Sequence, residues 1–262
     1  MLLCVDIGNT HTHYGLVQDR RTSCQSDVPT RLLDDPVLGL PERIKKLRAM
    51  LRQSGHVIDE IAFCSVVPDA SPRLRDVAAG AGLASWQLDY TCALGVPISY
   101  PRPTEIGQDR LANAAGAHAL VGSPAVVIDL GTAVTFDIIT TRGGYEGGII
   151  TPGPALVTRY LHEHTAQLPL VEDLVSPVQS VVGKSTKEAI RIGAIIGYPG
   201  MIQALLDAVL GELAARGEPT PVIVTSGGAA SMVAARLRQP TRDIPDLTLQ
   251  GLAAAHALRA GS

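Results

Sequence analysis

Leu2-Leu3-Cys4-Val5-Asp6-Ile7-Gly8-Asn9-Thr10-His11-Thr12 is an apolar run that meets an acid, then a glycine, then small polar residues. Ala125-Val126-Val127-Ile128-Asp129-Leu130-Gly131-Thr132-Ala133-Val134-Thr135 repeats that order, with Asp, Gly and the closing Thr at matching offsets. Each apolar run has the length of a buried strand, and each continues into β-favouring residues, 14–17 and 136–140, before a polar or glycine-containing turn. The echo predicts two related halves, each opening on a β-hairpin, with Gly122-Ser123-Pro124 breaking the chain between them.

Outward from these hairpins, helical and extended patterns alternate. Residues 41–53 place Ile44, Leu47, Met50 and Leu51 on one helical face. Residues 58–67 read as a strand, 71–79 as a helix and 109–120 as an Ala-rich helix. From Ser185 a long helical pattern runs to 215 and is expected to bend near 197–200, because Pro199 has no amide hydrogen to donate. A strand at 221–225 and helices at 229–237 and 247–258 complete the series, which predicts an α/β fold of mixed sheets flanked by helices. A length of 262 residues suits one large or two small domains, and the echo favours two. With 46% hydrophobic residues and a net charge of −3, extensive disorder is excluded and a general nucleic-acid binder is disfavoured. Cys4, Cys24, Cys64 and Cys92 form no paired motif and are expected to stay reduced. Asp6 interrupts the N-terminal apolar run before a signal peptide could form, and charges break the other apolar stretches. A cytoplasmic location without membrane association is expected.

Asp6 at a strand end suits a hydrated magnesium ion between its carboxylate and a phosphate. Gly8 lets backbone approach that phosphate, and the Thr10 and Thr12 hydroxyls can donate to it. A simple Asx-type turn explains the same residues without a ligand. The second copy, Asp129 with Gly131 and Thr132, strengthens the nucleotide reading, since a triphosphate needs support from more than one side. Gly183-Lys184-Ser185-Thr186 looks like the end of a P-loop, but Val178 stands where that loop requires its first glycine. In Glu105-Ile106-Gly107-Gln108-Asp109-Arg110, Asp109 falls near a helix N-terminus. It can accept the proton of an attacking alcohol, with Arg110 reaching an anion, or it can be a helix cap beside a surface arginine. Five glycines among residues 143–153, and Gly227-Gly228 after a strand, can bring main chain against a ligand or simply make tight junctions. The pairs His11/His13 and His162/His164 lack further ligands at zinc spacing, and Ser226 lacks the context of a hydrolase nucleophile.

Taken together, seven motifs in order resemble the type III pantothenate kinases, within the superfamily that holds acetate kinase, sugar kinases and actin. They are 6–10, 105–110, 129–135, 147–153, Thr165-Ala166-Gln167-Leu168-Pro169, Ser226-Gly227-Gly228 and 245–252. The resemblance implies two ribonuclease-H-like domains, 1–118 and 119–262, with an ATP cleft between them and assembly as a homodimer. It implies transfer of the γ-phosphoryl group of ATP to the primary hydroxyl of pantothenate, the first step toward coenzyme A. Asp109 would be the general base, Tyr100, Gly107 and Arg110 would line the pantothenate site, and Thr186 would reach that site across the dimer. Asp6 would organise Mg²⁺-ATP, with Gly8, Asn9, Thr10, Gly131, Thr132, Gly227 and Gly228 around the nucleotide. Asp129 would serve a potassium or ammonium site. His11, His13, Val134 and Ser226 depart from the usual pattern. Two alternatives stand beside this reading: a nucleotide-binding regulatory protein without turnover, and a kinase for another small alcohol.

Overall fold

The computed structural model describes residues 1–174 and 176–259, and the chain divides into two compact units. The first comprises residues 1–122, the short segment 143–147 and the C-terminal segment from Asp246; the second comprises 123–142 and 148–245.

In the first unit β1 (Leu2–Ile7), β2 (His11–Gln18) and β3 (Arg21–Pro29) form an antiparallel meander, and β4 (Glu60–Ser65) and β5 (Ala84–Gln87) add in parallel beyond β1, giving the order β3-β2-β1-β4-β5. Helices α1 (Leu40–Gln53), α2 (Ala70–Gly80) and α3 (Gln108–Val121) follow the strands. Strand alternation divides the side chains between two faces. Leu3, Val5 and Ile7 join Ile61 and Phe63 in a core with Ile44, Leu47 and Leu74 of α1 and α2. Met50 lies outside that buried stripe, exposed beside Cys24. Cys4, Asp6 and Cys64 therefore face the other side.

The second unit repeats the plan. Its strands β6 (Ala125–Leu130), β7 (Ala133–Thr140), β8 (Gly144–Pro152), β9 (Val222–Ser226) and β10 (Thr241–Asp243) lie in the order β8-β7-β6-β9-β10, so each sheet, counted from its own first strand, runs 3-2-1-4-5. The glycine-rich stretch thus supplies a strand, whose first residues, up to Gly147, belong with the first unit. Its helices are α4 (Pro154–Glu163), α5 (Thr186–Ile192), α6 (Tyr198–Ala215) and α7 (Ala230–Ala234), while α8 (Leu247–Leu258) closes the chain within the first unit. Helix α6 buries Tyr198, Ile202 and Leu206 against Val126, Ile128 and Phe136.

A bend was expected near 197–200; the irregularity lies just upstream, a π-helical turn, Gly193–Gly197, between α5 and α6. A proline at 199 cannot serve the carbonyl four residues earlier, Ile195, and Arg236 Nη1 donates to that oxygen at 2.8 Å instead. Residues 186–215 are, among the described residues, one helical stretch long and apolar enough by length and composition to cross a membrane; a third of its most apolar window is buried within the chain.

Candidate active site

Asp6, next to last in β1, is half-buried, opposite His13 on β2 and Cys64 on β4. Burial first, then the charges of Asp6 and Asp109, push the Cys64 thiol well above its usual range, and the protonated thiol donates to Asp6 Oδ1 at 3.2 Å. The turn that follows closes when the Gly8 amide donates to the His11 carbonyl at 3.0 Å, leaving Asn9 and Thr10 exposed. Thr30 braces it from beneath, its hydroxyl donating to the Gly8 carbonyl at 2.7 Å and its amide to the Thr10 carbonyl at 3.0 Å. Thr12 does not belong to this surface. It pairs with Ile7 and is fully buried on the face opposite Asp6, with its hydroxyl 3.1 Å from that of Thr30. Its hydroxyl serves the fold rather than a phosphate. His11 and His13, two apart on β2, share the Asp6 side of the sheet, their ring centres 6.4 Å apart.

Asp109 is the second residue of α3, on the Asp6 side of the first sheet. Gly107, not Asp109, caps the helix, so the simple capping alternative does not describe this aspartate. Its Oδ1 accepts from the Arg110 amide at 2.8 Å and folds back over residue 107, where a Cβ would come within 2.5 Å of it. A side chain at 107 would thus have to displace the Asp109 carboxylate from this position. The Arg110 guanidinium lies 5.8 Å from the ring centre of fully buried Tyr145, and Tyr100 packs its ring against Gly147, where a Cβ would stand 3.0 Å away. Main-chain bonds between Tyr145 and Pro97 and between Ser99 and Tyr145, both 2.9 Å, tie segment 143–147 to the chain carrying Tyr100.

In the second unit Asp129 lies opposite Thr135 and beside Ser226. The Gly131 turn is one residue tighter than the first: Leu130 pairs with Val134, whereas Ile7 pairs with Thr12 across a longer loop. Val134 is thus the spatial counterpart of Thr12, buried like it, and the matching threonines of the sequence echo are not equivalent in space. Gly153 and Gly227 brace this turn. A Cβ on Gly153 would fall 2.4 Å from the Gly131 carbonyl, and one on Gly227, at φ +87°, would fall 2.7 Å from Asp129 Oδ1. Gly228 follows in open space. Thr186 stands exposed at the start of α5; Ser185 caps that helix, its hydroxyl accepting from the Glu188 amide at 3.2 Å, while Glu188 accepts from the Lys184 amide at 2.7 Å.

Sequence comparison identifies the lineage. The type III pantothenate kinase family model matches residues 2–208. Type III pantothenate kinases from Methylacidiphilum infernorum and Akkermansia muciniphila are 38% and 37% identical, covering 96% and 98% of this chain and 86% and 98% of their own lengths. The chain belongs to the type III pantothenate kinase family. Two solved structures share the fold at low identity. A Baf family transcriptional activator from Campylobacter jejuni aligns over 99% of this chain and 100% of its own with a TM-score of 0.61 at 16% identity. The ethanolamine utilization protein EutJ from Carboxydothermus hydrogenoformans aligns over 97% and 89% with a TM-score of 0.56 at 14%.

For a type III pantothenate kinase, the first unit brings Asp6 and Asp109 to one side of one sheet, sets Gly107 against Asp109 and links Tyr100 and Arg110 through segment 143–147. Asp129, Gly131, Thr132, Gly227 and Gly228 gather in the second unit, and Thr186 opens α5. Sequence reasoning passed over the supports: Thr30 under the first turn, Cys64 on Asp6, Gly153 under the second turn and Tyr145 beneath Arg110. Gly153 and Tyr145 lie inside the glycine-rich stretch 143–153; Thr30 and Cys64 carried no signal. Among the described residues no three His, Cys, Asp or Glu side chains gather as a metal cage. Asp6, a half-buried carboxylate beside the exposed turn, is a donor of the kind Mg²⁺ takes together with substrate phosphates.

Proposed function

We propose that this kinase transfers the γ-phosphoryl group of ATP to the primary hydroxyl of pantothenate, with Asp109 as the general base. The observation that carries the reading is the placement of Asp109 in the first turn of α3, on the face that bears Asp6, in a chain of this family. Asp109 takes the hydroxyl proton as the alcohol oxygen forms its bond to the γ-phosphorus, and the bond to the ADP oxygen breaks. Arg110, set against Tyr145, and Tyr100, set against Gly147, orient the acceptor, and Gly107 leaves the carboxylate room.

Asp6 and the exposed turn Gly8-Asn9-Thr10 are proposed to receive Mg²⁺-ATP. Bound there, Mg²⁺ would neutralise charge on the phosphates. Asp129, an oxygen donor beside the Leu130 carbonyl and Gly227, suits a potassium or ammonium ion, with Gly131, Thr132 and Gly228 contributing to the nucleotide. Thr186 is proposed to act across a homodimer.

The test is coupled ATP turnover with pantothenate and mass detection of the phosphorylated product, for the parent and Asp109→Asn. The substitution should lower kcat by roughly 10²-fold or more while the fold and ATP binding persist. Little loss in a folded variant rejects the base; ATP binding by the parent without product, in Mg²⁺ and potassium, rejects the kinase reading and favours a regulatory protein or another alcohol. Initial rates at constant ionic strength should be higher in potassium or ammonium than in sodium, and equal rates would remove the role of Asp129.

A further inference from the structure

The first turn of α3 is fastened to the end of the first sheet by one side chain. Gln108 Oε1 accepts from the Ser65 amide at 2.9 Å and from Gln87 Nε2 at 3.0 Å. A backbone N–H can only donate, so the oxygen of the Gln108 amide must face Ser65, and the second donor agrees with that orientation. Gln87 is itself held, its Oε1 accepting from Arg75 Nη2 at 2.5 Å. The last paired residues of β4 and β5 are Phe63 and Gln87, so Gln108 satisfies a β4 amide just past the point where the β5 ladder ends.

Position gives this anchor its meaning. Gln108 immediately precedes Asp109, and Ser65 immediately follows Cys64, whose thiol donates to Asp6. Two neighbouring residues of one strand therefore reach the two acids: Cys64 directly at Asp6, and Ser65 through Gln108 at the turn that presents Asp109. Residues 88–107, which lead into α3, contain no strand and one short helical turn, Pro103–Glu105, and their main-chain bonds at Pro97 and Ser99 run to Tyr145 and not to β4. We infer that Gln108 is a positioning residue for phosphoryl transfer, fixing the first turn of α3 to β4 so that Asp109 is held at a set distance from Asp6. The inference rests on Asp109 being the base.

The experiment compares parent, Asp109→Asn, Gln108→Met, Gln108→Glu and Gln87→Met at pH 8, with kcat and the KM for ATP measured separately. Met keeps the length of Gln and removes the acceptor; Glu keeps the acceptor for both donors. Since a displacement of about 1 Å can cost up to roughly 10²-fold, Gln108→Met should lower kcat about 10-fold or more with the KM for ATP within about 2-fold of the parent. Gln108→Glu should restore kcat to within about 3-fold, a rescue that loss of packing would not produce. Asp109→Asn separates the two claims. If it is as active as the parent, the base assignment has failed whatever Gln108 does. If it is inactive while folded Gln108→Met keeps its kcat, or while Gln108→Glu is as poor as Gln108→Met, the positioning role is overturned. Should Gln108→Met not fold, Gln87→Met decides: a several-fold fall in kcat at constant KM for ATP supports the anchor, and an unchanged kcat overturns it.

Discussion

Gly227 and Gly228 are adjacent glycines with opposite tolerances. At Gly227 the backbone is left-handed, φ +87°, and a Cβ would collide with Asp129 Oδ1 and the Leu130 carbonyl, each at 2.7 Å; at Gly228 nothing lies within 4 Å of the same atom. An alanine at 227 meets backbone strain of about 1–3 kcal/mol and must also displace the carboxylate proposed for the monovalent ion. Gly227→Ala should therefore lower the urea midpoint and blunt activation by potassium, while Gly228→Ala leaves both close to the parent. Equal behaviour of the two variants would show that the packing against Asp129 has no consequence. The sequence marked both glycines as one phosphate-approaching pair, because the φ of a residue and the distance to a strand in another part of the chain are not written in a dipeptide. Asp6 and Asp109 stand in motifs that mark them as candidates; Gln108 stands in the same motif as Asp109, but nothing in that motif says which strand amide it meets, and Thr30 and Cys64 lie in segments whose composition is ordinary.

Between elements, the closest helix contact in the first unit joins α3 to α8. A Cβ on Gly251 would come within 1.8 Å of the Ala112 carbonyl, and one on Gly116 within 2.8 Å of the Leu247 carbonyl, so glycines set the approach, and the Thr248 hydroxyl donates to buried Asn113 at 2.8 Å. Both helices were expected from the sequence, 109–120 from its alanine content and 247–258 as the last of the series; neither reading carries information about which helix packs on which. Strand β3 went unread for the converse reason: it is an edge strand of mostly exposed residues. The far end of α8 is latched to β4. Glu60 accepts from His256 Nε2 at 2.9 Å and from both terminal nitrogens of Arg259, at 3.0 and 2.8 Å. Burial alone would raise the Glu60 pKa, but the bonds from Arg259 and His256 outweigh it and hold the carboxyl below its usual range. A depressed folded-state pKa means that the stabilisation is present above the unfolded-chain value, about 4.3, and is lost as pH falls through the folded one. Urea unfolding at pH 7 should show Glu60→Gln less stable than the parent by about 1 kcal/mol, and the gap should narrow on going to pH 3. A gap that persists unchanged at pH 3 would assign the loss to packing instead of charge.

At the scale of the whole molecule, the exposed apolar residues of the second unit call for a partner. Ile150, Tyr160, Val181 and Val182 are each more than half exposed, and Ile196 and Met201 add to them from the helical stretch 186–215. Burying such side chains contributes about 25 cal/mol per Å² of apolar surface, so leaving them in water is unfavourable. A second copy of the chain is the occupant proposed, in keeping with Thr186 on α5 acting across the dimer. Sedimentation should give a homodimer without detergent, and a charge set into the surface, Val181→Asp with Ile196→Asp, should shift it toward monomer. The monomer should retain ATP binding, since Asp6, the Gly8 turn, Asp129 and Gly227 all lie elsewhere in the sequence, and should lose affinity for pantothenate, whose site would lack the partner's threonine. Thr186→Ala separates the two effects: it should raise the KM for pantothenate while the dimer stays intact. A parent that sediments as a fully active monomer would remove the partner from the site and leave these exposed apolar residues, Ile196 and Met201 of the 186–215 stretch among them, without the proposed occupant.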